Sequence, residues 1–311
     1  MGVLDLTKKN AFVFPGQGAQ GAGMGKDLAD NFPAAKEIFE KADDILGFSL
    51  SDLCFNGPDA DLNITVNTQP ALYVTSAAAW KAADSVGIKA ICAAGHSVGE
   101  YVALCAAGAF TFEEGLRLIR KRAEFMNKYA ELRPGSMAAV LGLAPEKVAE
   151  IAAEASVAGI VTAANFNSPI QTVISGEKDA VAKACELAKA AGARRALPLK
   201  VSGGFHSALM DGAAEEMAAF VAEADIKDAA IPVFANFTAK AETEADEIRE
   251  NLIKQITGNV RWVESVEAMV GFGVENFIEL GSGAVLAGLI KRIAPDAGIA
   301  SAGTKDSLEA L

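Results

Sequence analysis

The stretch AAGHSVGEYVALCAAGAF, residues 93–110, constrains the fold more than any other part of the chain. KAICAAG, which runs into it, reads as a buried strand, and GEYVALCAAGAF as a helix packed through small residues. Gly95-His96-Ser97-Val98-Gly99 must make the whole reversal between them, and it satisfies G-x-S-x-G in the strand-before, helix-after context that gives the pattern meaning. In such an elbow the glycines permit a sharp turn and close approach of neighbouring chain. The hydroxyl then stands at a helix N-terminus, where free N–H groups and the helix dipole favour an oxyanion. Ser97 is therefore a candidate nucleophile; the alternative is a helix-capping serine in a Gly-rich turn.

The same alternation continues on both sides. NAFVFP reads as a buried strand, AAKEIFEKADDILG and PALYVTSAAAWKAADSVG as helices, and PVFANF and NFIELG as further strands, which together imply a parallel sheet. Between the halves, GSMAAVLGL, PEKVAEIAAEAS, GIVTAANFNSP, QTVISGE, KDAVAKACELAKAAG and ARRALPLKV spell β-α-β-β-α-β, the ferredoxin-like order. The expected architecture is α/β: a central parallel sheet flanked by helices, of α/β-hydrolase-like type, with an inserted ferredoxin-like subdomain. The boundaries fall at 1–130 with 205–311 for the large domain and 131–204 for the insert. The cleft between them is the expected ligand site.

Composition removes several functional classes. An apolar share of 51% with 22% charged residues describes a globular chain, and no segment reaches the roughly 18 unbroken apolar residues of a membrane span. MGVLDLTKKN lacks the hydrophobic stretch of a secretory signal, so cytoplasmic residence is expected. A net charge of -12 disfavours nucleic acid or an anionic membrane as partner. Cys54, Cys92, Cys105 and Cys185 are scattered and read as reduced core residues, with neither a zinc site nor a disulfide framework.

A serine nucleophile needs a base, and the chain contains only His96 and His206. Side chains adjacent on a tight elbow diverge, which leaves His206, in VSGGFHSALM, where the insert rejoins the main domain. A lone histidine also serves as a structural residue, and that reading stays open here. In the helix EEGLRLIRKRAEFMNKYA, Arg117, Lys121, Glu124 and Lys128 form a solvated stripe, whereas Arg122 shares a stripe with Leu118, Phe125 and Tyr129. A guanidinium among apolar neighbours calls for an anionic partner: a carboxylate on the acyl group, or else a structural ion pair or escape to water.

FPGQGAQGAGMG offers a competing motif, Gly16-x-Gly18-x-x-Gly21 after a strand, the dinucleotide fingerprint. That fingerprint needs a second strand ending in an acidic residue about 20 positions on, to hold a ribose. At that distance Glu37 and Glu40 lie in a helical pattern, and Pro15 interrupts the turn. A nicotinamide enzyme is thus the weaker reading. The loop's glycines let backbone approach a ligand, and Gln17 offers an N–H at the first strand's carboxyl end, where a second oxyanion donor fits.

Taken together, FVFPGQGAQ, TQPALY, GHSVGE, an arginine 25 residues after the serine, NFNSPIQTVISG, FHSALM and QITGNVRW resemble the malonyl-CoA:acyl carrier protein transacylase family, from about residue 11 to 305. The resemblance implies Ser97 as acylated nucleophile, His206 as base, Arg122 as the clamp on the malonyl carboxylate, and the N–H groups of Gln17 and Val98 as oxyanion hole. It also implies that Gln255 orients the histidine through its backbone carbonyl. Family members that take methylmalonyl units carry Gln and Ser where this chain has Val98 and Phe205, and a ring at Phe205 leaves little room for a methyl branch. One departure is Ser282 in ELGSGAVLAGL, where the family often has Pro. The implied substrates are malonyl-CoA and acyl carrier protein, with coenzyme A entering as a thioester, no cofactor, no metal, and a monomeric enzyme. A polyketide-pathway acyltransferase and a serine thioesterase or hydrolase share these residues. Acidic carriers need a basic patch, for which Arg194, Arg195 and Lys200, or Lys291 and Arg292, are candidates.

Overall fold

The computed structural model describes residues 4–311. Its strands are β1 (Asn10–Phe14), β2 (Cys92–Gly95), β3 (Gly135–Leu141), β4 (Val161–Ser168), β5 (Gln171–Glu177), β6 (Arg195–Pro198), β7 (Val233–Phe234), β8 (Ala241–Glu242), β9 (Asn276–Leu280) and β10 (Gly298–Ala302). They form two sheets, ordered β10-β9-β1-β2-β7-β8 and β4-β5-β3-β6. In the larger sheet every pairing is parallel except β7 with β8. Strands β1, β2 and β9 are buried at every position, as befits parallel strands covered on both faces by helices.

The helix Thr65–Ser85 lies in the main core with most of its circumference buried, which explains its run of alanines and its lack of a polar face. Pro70 sits inside it and has no N–H to give the carbonyl of Val66. That carbonyl is taken by Arg120 Nη1 at 3.1 Å, so the break in the ladder is repaired from the neighbouring helix Phe112–Leu132. Thr111 caps this second helix through its hydroxyl, with Glu113 and Glu114 in the first turn. The two long helices thereby present Gln69 and Arg122 to the same space.

The smaller sheet is antiparallel, and its chain order is the β-α-β-β-α-β expected from the sequence. Its strands alternate with period two. Ala138, Val140 and Ile174 pack under the helices Pro145–Ala155 and Lys178–Ala190, while Met137, Ala139 and Val173 face the main domain. In the larger sheet, the strand expected at PVFANF shrinks to Val233–Phe234, because the chain turns back at Ala239 into β8. Neither β8 nor β10 has a clear apolar alternation, and both lie toward the edges of the sheet. None of the described helices is long and apolar enough to cross a membrane.

Candidate active site

The elbow after β2 holds Ser97 at φ 53 and ψ -104, a conformation that an L-residue keeps only when its surroundings impose it. The two flanking glycines are steric requirements. A Cβ on Gly95 would lie 1.9 Å from the carbonyl carbon of Gly99, and one on Gly99 would lie 2.0 Å from the carbonyl oxygen of Phe14, at the end of β1. Asn236 completes the clamp: its Oδ1 accepts the Ser97 N–H at 2.7 Å and its Nδ2 donates to Gly95 O at 2.6 Å. Ser97 occupies the N-cap position of the helix Val98–Ala106, yet its side chain caps nothing. The hydroxyl turns instead to His206, with Oγ and Nε2 2.8 Å apart.

His206 also has a positive φ, 57, a distinction it shares with only Ser97 and Ala239 among the described non-glycine residues. Its Nδ1 lies 2.9 Å from Gln255 O and 3.2 Å from Gly258 O. Carbonyl oxygens only accept, so Nδ1 carries the proton and Nε2 offers its lone pair to the serine. Burial, and then the positive charge of Arg122, push the imidazole pKa down to about 3, against the smaller opposing effect of the carbonyls. The base is therefore neutral before reaction. Its Nδ1 meets backbone carbonyls, that of Gln255 among them, rather than a carboxylate.

Arg122 is buried, and its Nη2 donates to Ser97 Oγ at 3.0 Å and to Gln255 Oε1 at 2.9 Å, while Nη1 donates to Gln69 Oε1 at 2.6 Å. The expectation of an anionic partner in contact is not met within the chain: all three acceptors are neutral oxygens. Its Nε–H is buried without a partner among the described residues. Burial lowers the pKa of this guanidinium. A cation whose direct contacts are all neutral dipoles, next to a paired hydroxyl, is suited to receive a carboxylate that arrives with a ligand.

These groups line a cleft of about 230 Å³ at the carboxyl ends of β1 and β2, closed on the far side by the small sheet. Gln17 and Val98 both line it, and Val98, as first residue of its helix, has an N–H free of the helical ladder. Phe205 lies beside them with Met126, Met137 and Val201, and its carbonyl accepts from Ser175 Oγ at 2.5 Å. His96 points away from the serine and pairs through Nε2 with Asn167 Oδ1 at 2.8 Å. A larger groove of about 1030 Å³ lies at the opposite, amino-terminal end of the sheet and contains none of these side chains.

Sequence reasoning missed Gln69, Asn167, Asn236 and Glu100 as members of the site. Gln69 and Asn236 stand as polar residues in the helical run TQPALY and the strand run PVFANF, and that incongruity is the signal they carried, whereas Asn167 and Glu100 lie in the already polar NFNSP and GHSVGE and carried none.

A hydroxyl facing an unprotonated imidazole nitrogen can release its proton as it attacks a carbonyl carbon. With the elbow at a helix N-terminus and the cleft at the switch between two sheets, fold and site define an acyl-transferring enzyme of the serine–histidine type. Residues 11–302 match the acyl transferase domain family, and the chain belongs to it. It is 46% identical over 286 residues to the malonyl CoA-acyl carrier protein transacylase of Bacillus subtilis (strain 168), which covers 92% of this chain and 90% of that protein. A 1.7 Å crystal structure of an acyl carrier protein S-malonyltransferase from Vibrio cholerae superposes with a TM-score of 0.94 at 44% identity, over 97% of this chain and 99% of that one. A type II PKS acyl-carrier protein in complex with its malonyl-transacylase matches with a TM-score of 0.94 at 41% identity, over 97% and 98% of the two chains.

Proposed function

We propose that this chain transfers a malonyl group from malonyl-CoA to the phosphopantetheine thiol of acyl carrier protein, in fatty-acid biosynthesis, through a malonyl ester on Ser97. His206 Nε2 takes the hydroxyl proton as Oγ bonds to the thioester carbon. The N–H groups of Gln17 and Val98 hold the resulting oxyanion; one such donor is typically worth about 3 to 4 kcal/mol of barrier. The carbon–sulfur bond then breaks and the coenzyme A sulfur recovers the proton from the imidazolium. In the second half the carrier thiol gives its proton to His206, sulfur attacks the ester carbon, and Oγ leaves with that proton. Throughout, Arg122 binds the malonyl carboxylate, and the ring of Phe205 fills the space that a branched acyl group needs.

The observation that carries this reading is the convergence of three distant side chains on one atom: Ser97 Oγ lies 2.8 Å from His206 Nε2 and 3.0 Å from Arg122 Nη2. The similarity to malonyl transacylases across nearly the whole chain supports the donor and the acceptor. The neighbour solved with a polyketide carrier favours a second reading in which the same chemistry serves a polyketide pathway. Intact-protein mass spectrometry after brief incubation with malonyl-CoA is the test. A single malonyl adduct that is absent from Ser97→Ala and discharged by holo carrier is expected. An adduct persisting in that variant sinks the serine assignment, and loss of malonate to water at equal rates with and without carrier makes the protein a hydrolase.

A further inference from the structure

Glu100, the third residue of the helix after the elbow, has no part in the reaction as described, yet it is fully buried. Its Oε2 accepts from the backbone N–H of Asn236 at 2.9 Å and from Gln255 Nε2 at 3.0 Å. Both partners act on the catalytic groups. Asn236 clamps the serine elbow at Ser97 N and Gly95 O. Gln255 donates from the same Nε2 to Ser97 O at 3.0 Å, receives Arg122 at Oε1, and receives His206 at its backbone carbonyl. An amide can be flipped; an acceptor at Glu100 and another at Ser97 O fix Nε2 on one side, so Oε1 must face the guanidinium.

Building on the site proposed above, we infer that Glu100, as the carboxylate, is a positioning residue for acyl transfer: it sets the Gln255 amide and the Asn236 clamp, and it is the internal counter-charge to Arg122 and to the imidazolium formed in each half-reaction. Helix N-terminal glutamates ordinarily reach back to their own cap residue. Here the Ser97 N–H is already held by Asn236, and the carboxylate is redirected into the site.

The charged and titratable groups that act on it or that it acts on are Arg122 on the helix Phe112–Leu132, Glu242 on β8 and the neighbouring Tyr101, while His206 is linked to it through Gln255. Burial raises the Glu100 pKa to about 7, with the bonds from Gln255 and Asn236 and the charge of Arg122 working against it. Burial, reinforced by Glu100, raises Glu242 to about 8, so Glu242 is largely protonated where Glu100 ionises. His206, at about 3, titrates far below. Protonating Glu100 removes the counter-charge and weakens the acceptor, leaving Arg122 to oppose the imidazolium alone. An acid limb near neutrality in the free enzyme therefore belongs to Glu100 and not to the base.

The test follows acyl-enzyme formation from a malonyl N-acetylcysteamine thioester, which carries no phosphate and whose carboxylate is ionised throughout the range used. In the wild type the rate falls as pH drops through about 7 and levels off at the rate of the neutral form, which Glu100→Gln mimics. Glu100→Gln keeps shape and acceptor but not charge; its rate is lower by about tenfold or more at pH 8 and flat down to pH 6, while KM for the thioester stays level or falls. A merely structural glutamate gives another result. Since the folded protein keeps the Glu100 proton up to about pH 7 and the unfolded chain loses it near 4.5, the buried charge costs stability at high pH. Glu100→Gln thus unfolds no earlier than the wild type at pH 8. A wild type without the limb, or a variant that retains it, overturns the inference even if the variant folds poorly. Failure to form any malonyl–Ser97 adduct in the wild type overturns the underlying site instead.

Discussion

Arg122 and His206 oppose each other until substrate binds. The guanidinium is the second cause, after burial, of the imidazole's depressed pKa, so the resting site holds a weak base beside a cation with no carboxylate in direct contact. On the proposed reading, a malonyl carboxylate on Arg122 would cancel that field and strengthen the base as the acyl group arrives. An acetyl group brings no charge and leaves the base weak. Arg122→Ala is therefore expected to lose about tenfold or more with malonyl-CoA, the order of one charge-assisted hydrogen bond, and to gain relative to this with acetyl-CoA. Steady-state kcat/KM with both thioesters checks it; equal losses on the two make the arginine structural. Ser97, His206 and Arg122 were legible because each is chemically out of place in its local run: a serine between glycines, one of two histidines, a guanidinium on an apolar stripe. Gln69 and Asn236 were less so, since an uncharged amide in a buried segment has many satisfactory neutral partners and its sequence does not say which.

At the level of elements, the elbow exists because a strand and a helix meet at contact distances only glycine allows. Gly99→Ala forces a methyl group against the Phe14 carbonyl oxygen, a backbone atom that cannot swing aside. Overpacking of this kind costs about 1 to 3 kcal/mol, and here it also displaces Ser97. Gly288 provides the contrast: it lies in the helix Val285–Ile293, and a Cβ there meets nothing within 4 Å. Gly288→Ala is expected to stabilise by up to about 1 kcal/mol through helix propensity. Denaturant unfolding of the two variants measures both, and a Gly99→Ala protein as stable as wild type removes the steric account of the elbow. The strand-elbow-helix unit and the β-α-β-β-α-β insert could be read from periodicity because their patterns are long and their breaks carry Gly or Pro. The two-residue strands β7 and β8 could not, as their pairing depends on a turn at Ala239 that no glycine announces.

The molecule as a whole carries an excess of acid, so an acidic carrier must find a local reversal of that field. Two stretches of sequence were candidates, and the fold brings parts of them together. Arg194 and Arg195 from the approach to β6 and Arg292 from the helix Val285–Ile293 surround one surface hollow of about 310 Å³. Lys291 is separated from them, turned toward Pro295 O at the far groove. Gln171 lines both the hollow and the catalytic cleft, and exposed Ile170, Leu199 and Val285 add apolar surface around the mouth. The arrangement puts basic and apolar surface beside the mouth of the catalytic cleft. The double variant Arg195→Glu with Arg292→Glu is accordingly expected to raise KM for holo carrier by about tenfold or more. Transfer by the wild type should weaken as salt rises, since exposed charges are screened within about 10 Å at 0.1 M. Acyl-enzyme formation from the phosphate-free malonyl thioester should be the same in variant and wild type, because that substrate brings no carrier surface to the rim. If transfer to the carrier survives the reversal unchanged, the carrier approaches from another side of the cleft, and the three arginines are only solvated charges on a surface that is otherwise acidic.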